Sequence, residues 1–373
     1  MFNWKLWLSG ILGLGIIAMA LTTGFHVARV RSAFAQVFAS VPMMGGGGVP
    51  ATMPPPSTTT TASASIGAAG GTVATSDNSA AVVVPPGAFS TTVTMSLNSI
   101  SISAAPPPPT GFATAAVWSI DTGGVEPTKA VLATFKYSPA VLGSMNPHRV
   151  GVYLYSSTDK SWTWVGGVIN SSAQTISAQL AHFSNYGLQV NTTVFSDIYQ
   201  TPWAQDAVDT LLGANVVAGV APGLFEPESD VTRAQFATLL VKADGLAPVA
   251  SGQTTFADVP TTAWYAPYVA AAYNAGLVAG TSPTTFDPNG DITRAQMAVM
   301  LGKLLGSSAP TGTLSSFSDA SAIPTWAQTG VQRAVGTGLM TGFPGGTFQP
   351  AGLTTRAQAA VVLAGYLKYI GKV

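Results

Sequence analysis

No cysteine occurs among the 373 residues, which excludes a disulfide framework, a thiolate metal site and a cysteine nucleophile. Charge is nearly as scarce. Only 8% of the residues are charged, against roughly 25% in an ordinary soluble domain. That excludes a coiled coil and the charge-rich kind of disorder, both of which need far more Glu, Lys and Arg. The 15 basic residues are matched by 15 acidic ones, so the chain has no excess of cations with which to release counterions from a nucleic acid. What is present instead is 40 glycines and 26 prolines, the material of turns and linkers. Surfaces of Ser, Thr, Asn and Gln in place of charge point to an exported protein. The length suggests two or three domains, with room for more than one core.

The N-terminus agrees with export. Lys5 precedes an apolar run from Leu6 to Phe25, and Ala33-Phe34-Ala35 offers a cleavage site before Gln36. Residues 1–35 therefore read as a signal peptide or an N-terminal membrane anchor. The apolar run is long enough to span a bilayer, and Arg29 and Arg31 balance Lys5, so the flanking charges set no orientation. The reading favours the cleaved signal. Residues 36–65, with runs of four glycines, three prolines and four threonines, have no apolar periodicity and read as a Gly/Pro/Thr-rich linker.

From 66 to 190 the signals are those of strands. Ala81-Val-Val-Val84, Val93-Thr-Met-Ser-Leu97 and Val150-Gly-Val-Tyr-Leu-Tyr155 are β-branched or aromatic and are bounded by Gly, Pro, Asn or Asp. Several short strands at this spacing predict an all-β sandwich. Trp162 and Trp164 fall on one strand face, which reads as core. His148 and His182 read as satisfied structural histidines, and Asp121 and Glu126 as partners of a Thr-Gly-Gly turn. No carboxylate pair, Gly-x-Ser-x-Gly, His-Glu-x-x-His or phosphate loop is present. The chain is thus expected to be non-enzymatic, with no catalytic residue, metal or cofactor.

Gly70-Gly71-Thr72-Val73, followed by Ala81 to Val84 and Pro85-Pro86-Gly87-Ala88-Phe89, resembles the ZU-type β domain of netrin receptors and ankyrins. The segment His182-Phe-Ser-Asn-Tyr-Gly187 resembles the end of its bacterial versions. The resemblance implies a spacer or partner-binding module without chemistry of its own. Physically, the two prolines stop a strand and Gly87 permits a tight bend.

The remainder is a triplicate. Phe195-Ser-Asp197, Phe256-Ala-Asp258 and Phe317-Ser-Asp319 recur at intervals of 61 residues. Trp203, Trp264 and Trp326 follow in step, as do Gly219, Gly280 and Gly342. Phe-x-Pro at 225–227, 286–288 and 348–350 precedes Thr-Arg-Ala-Gln at 232–235, 293–296 and 355–358. The repeats run 195–255, 256–316 and 317–370. Each reads as two helices around a loop. In the first, Thr201 is expected to cap a helix that has Pro202 at its first position. Its apolar stripe is Ala207, Val208, Leu211 and Leu212. The second helix buries Phe236, Leu239 and Leu240, or Met297, Met300, Leu301 and Leu304 in the next repeat.

Thr-x-x-Gln is a capping box, which accounts for Thr and Gln. It does not account for Arg233, Arg294 and Arg356. A cation in the first turn opposes the macrodipole and costs a few tenths of a kcal/mol. Together with the unpaired N–H groups of a helix start, a guanidinium would make a site for a carboxylate or phosphate. Trp203, Trp264 and Trp326 offer flat faces that suit either a core or a sugar ring.

These residues resemble the S-layer homology domain over 195–370. That resemblance implies an all-α, pseudo-threefold helical triplet whose grooves bind anionic cell-wall polysaccharide, a secondary polymer often carrying a pyruvate ketal. Carried over by position, the polymer-binding residues are Asp197, Trp203, Gly219 and Arg233; Asp258, Trp264, Gly280 and Arg294; and Asp319, Trp326, Gly342 and Arg356. Gln stands at 235, 296 and 358 where the family usually has Glu, which removes a negative charge beside each Arg. The aromatic-Pro-Asp-Gly loop is kept only loosely, as Phe343-Pro-Gly-Gly-Thr347 in the third repeat.

The expected whole is a secreted multidomain protein of the cell wall or S-layer. A β-sandwich would be displayed on a wall-binding triplet, with contact to a membrane only through a retained N-terminal segment. The rivals are a structural subunit that assembles with itself in a lattice and an enzyme that uses the triplet as an anchor. From residue 191 onward there are eight basic and eleven acidic residues. Attraction of an anionic polymer must therefore rest on placed cations.

Overall fold

The structure, a computed structural model, describes residues 60–373. The N-terminal signal or anchor and most of the linker lie outside the described residues. The linker expected to run to 65 gives way at Thr61, because Ala62, Ala64 and Ile66 alternate inward and pair with Leu97, Met95 and Val93.

Eleven antiparallel strands fill residues 61–191. One sheet has the order β1 (Thr61–Ile66), β4 (Val93–Ile100), β5 (Phe112–Asp121), β11 (Asn185–Asn191), β7 (Val150–Ser156) and β8 (Ser161–Gly166). The other has β2 (Gly71–Ala74), β3 (Ala80–Val84), β6 (Val131–Lys136), β10 (Thr175–Leu180) and β9 (Val168–Asn170). A single core of Val82, Phe135 and Ile176 from one sheet and Leu97, Val152 and Leu188 from the other joins them. Trp118 stacks on Phe135 across it, with ring centroids 6.4 Å apart. A short helix, α1 (Pro139–Leu142), follows β6.

The strand-stopping reading of Pro85-Pro86 matches the end of β3 at Val84. Gly87 takes φ +74° and donates to the Ala68 carbonyl at 2.8 Å. Asp121 accepts from the Gly123 amide, and Glu126 accepts from that of Phe183. The expectation of a tryptophan core on β8 does not hold. Trp162 and Trp164 are only half-buried, because β8 is an edge strand. Trp162 donates to the Pro107 carbonyl, and Trp164 packs against the helical repeats.

Six helices form the rest: α2 (Gln205–Gly213), α3 (Arg233–Asp244), α4 (Ala266–Asn274), α5 (Arg294–Leu305), α6 (Thr325–Gly336) and α7 (Arg356–Tyr369). The apolar stripes anticipated above meet in one core, except for Ala207, which stays outside it. Helix α3 packs on α4, α5 on α6, and α7 returns to α2, so the second helix of each repeat meets the first helix of the next in a closed cycle. At its centre the Val231 amide donates to Thr354, the Thr354 amide to Ile292, and the Ile292 amide to Val231. Three residues thus exchange one backbone hydrogen bond around a ring.

The strand and helical parts are joined tightly. The last carbonyls of helix α2, like those of every helix, find partners outside the helix. Tyr153 donates its hydroxyl to the Gly213 carbonyl at 2.7 Å, and Asn191 donates to that of Leu212 at 3.1 Å. Arg149 forms a buried ion pair with Asp209 at 2.7 Å. His148 contacts the Asp206 carboxylate at 2.6 Å, a structural use as expected.

Candidate functional site: the grooves between repeats

Each second helix begins with the anticipated box. Thr232, Thr293 and Thr355 accept the amides of Gln235, Gln296 and Gln358, whose side chains accept the threonine amides in return. Thr201, by contrast, caps nothing. Consecutive 3₁₀ turns at 198–200 and 202–204 carry the chain into α2, and its hydroxyl bonds back to the Ile198 carbonyl.

The expectation that the helix starts offer free amides to an anion does not hold. The Arg233 and Ala234 amides donate to the carbonyls of Gly290 and Pro288. Arg294 and Ala295 donate to Gly352 and Pro350, and Arg356 and Ala357 to Ser229 and Pro227. The next repeat in the cycle supplies the acceptors, a partnership invisible to local sequence rules.

The arginine side chains follow the same route. Arg233 Nε donates to the Phe286 carbonyl at 2.8 Å and an Nη to that of Ala279 at 3.0 Å. Arg294 does the same to Phe348 and Thr341, at 2.9 Å each. Arg356 closes the ring on Phe225 and Ala218. Each guanidinium also lies over the phenylalanine of the Phe-x-Pro it bonds, 4.6–5.0 Å from the ring centroid. Burial depresses all three guanidinium pKa values, and neighbouring carboxylates oppose that shift: Asp287 and Asp258 for Arg233, Asp319 for Arg294, and Glu226 and Asp197 for Arg356. A tie between repeats therefore accounts for an arginine at this position three times.

The aspartates hold loops. Asp197 accepts the amides of Phe225 and Glu226, Asp258 those of Phe286 and Asp287, and Asp319 those of Phe348 and Gln349. The second residue of each pair has a left-handed backbone, φ 54–59°, an uncommon state for a side chain with a Cβ. The carboxylate anchors the turn that carries it. Gly219, Gly280 and Gly342 press against Phe195, Phe256 and Phe317. A Cβ at Gly280 would lie 2.2 Å from the Ser282 carbonyl, so no other residue fits there.

The three tryptophans are exposed, at 57% for Trp203 and 61% for Trp264 and Trp326. That decides against the core reading. Between the second and third repeats lies a groove of about 470 Å³ in which the anticipated residues meet. Arg233 enters it from repeat one, Gly280 and Gln296 line it from repeat two, and Trp326 from repeat three, beside Met300. Lys303 also lines it. This lysine carries no motif of its own; its one signal in the sequence is its place two turns after Gln296 on the same helix face.

A family search matches the S-layer homology domain at residues 194–237, 255–298 and 316–360. The amylopullulanase of Thermoanaerobacterium thermosulfurigenes is 32% identical over 257 residues, 68% of this chain and 13% of that protein. The surface-layer 125 kDa protein of Lysinibacillus sphaericus is 34% identical over 165 residues, covering 43% of this chain and 14% of that one. An S-layer protein of Bacillus thuringiensis subsp. finitimus is 30% identical over 179 residues, 48% of this chain and 22% of that one. The chain thus spans less than a quarter of the length of each. With matching motifs and a closed ring of three helix pairs, this chain carries three S-layer homology domains over residues 194–360, and it is a secreted, cell-surface protein.

Proposed function

We propose that this chain anchors non-covalently to an anionic cell-wall polysaccharide through the grooves of a pseudo-threefold helical triplet, and displays a ZU-like β-sandwich as spacer or interaction module. The carrying observation is the groove that gathers Arg233, Gly280 and Trp326 from three repeats around an exposed indole. A sugar ring would stack on the tryptophan, and its carboxylate, as in a pyruvate ketal, would be met by side-chain cations rather than by helix amides. Asp197, Asp258 and Asp319 would shape the grooves by holding their loops. Several weak grooves on one polymer gain from effective concentration. The test is co-sedimentation of the chain with purified cell-wall sacculi. Trp203, Trp264 and Trp326→Ala together should abolish pelleting while the circular dichroism spectrum stays native. Pelleting like the wild type would sink the reading.

The S-layer names of several relatives favour a second reading, self-assembly into a surface lattice. A low-charge surface permits it. Concentration-dependent assembly without wall material, seen by sedimentation velocity, would support that role. Relatives named as glycosidases raise a third, a wall-anchored enzyme. Turnover of wall glycans by the chain would establish it.

A further inference from the structure

Within the proposed wall-binding function, on which this inference rests, we propose that Lys303 and Lys242 are the direct partners of the ligand's anionic group, and that the third groove is not an anion site.

The groove that holds Trp326 is lined by two cations, Arg233 and Lys303, and among the described residues by no carboxylate. The two cations differ in their commitments. Arg233 spends Nε and an Nη on carbonyls and has Asp258 and Asp287 beside it. Lys303 has no carboxylate within 4.0 Å and no side-chain hydrogen bond among the described residues. Burial lowers its pKa, with no opposing charge. An ammonium held beside an apolar floor without a counterion is the cation left for a ligand.

The threefold arrangement supplies two internal comparisons. By repeat register, Lys242, seven residues after Gln235, is the counterpart of Lys303, and Trp264 is the counterpart of Trp326. Lys242 is half-buried where Lys303 is more exposed, but its pKa is likewise lowered by burial and it lacks a carboxylate partner among the described residues. In the groove of repeat three, seven residues after Gln358, the position is Gly365. A second change falls in the same groove. Phe343 stands where the other repeats have Thr281 and Val220, and its ring lies 4.5 Å from the Arg294 guanidinium, which Phe348 already faces at 5.0 Å. Arg294 thus sits against two aromatic rings where Arg233 and Arg356 each have one. Two independent substitutions remove the lysine from this groove and cover its remaining cation, Arg294, with a second ring, so it suits an uncharged sugar.

The test is co-sedimentation of the full chain with purified sacculi, native and with carboxyl groups amidated. Lys→Met keeps the stem and removes the charge. Lys242→Met with Lys303→Met should weaken binding to native sacculi by about tenfold or more, as expected for a charge-assisted contact, with an unchanged melting curve. Wild-type chain on amidated sacculi should fall to the same level. Trp203→Ala, in the third groove, should cost much less than Trp264→Ala or Trp326→Ala. Gly365→Lys, whose Cβ would lie 3.1 Å from the Leu339 side chain, should bind more tightly than wild type. Wild-type binding by the double lysine variant, alongside loss on Trp264→Ala, would overturn this proposal and leave the groove reading standing. Equal losses at all three tryptophans would overturn the inequality of the grooves. Wild-type binding by the triple tryptophan variant would instead remove the groove reading itself.

Discussion

Arg356 Nε donates to the Phe225 carbonyl at 2.7 Å, across 131 residues of chain. This bond and its companion to Ala218 close the ring of repeats. Arg356→Ala leaves two carbonyls without their charged donor, so it should lower stability by about 2 kcal/mol or more. Arg233→Ala and Arg294→Ala should behave alike, because their geometry is the same. Urea unfolding monitored by circular dichroism reads the loss. Unchanged midpoints would mean that the arginines are not ties.

The exposed tryptophans should show the opposite profile. Single changes of Trp203, Trp264 or Trp326 to Ala remove little buried surface and should move stability by no more than about 0.5 kcal/mol. Loss of sacculus binding on Trp264→Ala or Trp326→Ala, without loss of stability, would separate ligand contact from architecture. A fall in stability comparable to that of the arginine variants would refute that separation.

The strand and helical parts meet at Gly151 and Gly213. A Cβ on Gly213 would lie 2.4 Å from the His148 carbonyl, and one on Gly151 would lie 2.5 Å from the Gly213 carbonyl. Gly213→Ala should therefore cost roughly 1–3 kcal/mol. Asp209→Ala, which leaves Arg149 buried and unpaired, should cost about 3–5 kcal/mol. Calorimetry should show one transition for both parts in the wild type and two once the junction is pried apart. Two transitions in the wild type would mean that the parts are independent.

Acid should loosen the third repeat. Burial alone would raise the Asp319 carboxyl, but the amides of Phe348 and Gln349 and the nearby Arg294 bring it below the usual value. Asp206 is likewise lowered, the hydrogen bonds of Asn146 and His148 outweighing its burial. A carboxyl depressed in the folded state contributes fully above its unfolded pKa, near 3.9. The contribution disappears as pH falls through the lower folded value. Thermal melts should thus be flat from neutrality to about pH 4 and decline below it. Asp319→Asn should start less stable and decline less. An equal decline in that variant would exclude Asp319 as a source.

The local grammar of this protein was legible in its residues. Thr232, Gln235 and their equivalents interact across one helical turn, so the capping boxes and the apolar stripes of α3 and α5 follow from spacing alone. The strand ends at Pro85 and the bend at Gly87 follow from backbone sterics. Tertiary structure alone decided what the arginines bind, because their acceptors lie 46 to 138 residues away. It also overturned a local inference. Helix starts that look unpaired in sequence are supplied with carbonyls by the neighbouring repeat, since a closed ring brings each loop against the next helix. The exposure of the tryptophans and the meeting of Arg233, Lys303 and Trp326 have the same origin. A groove assembled from three repeats has no counterpart in the order of residues along the chain.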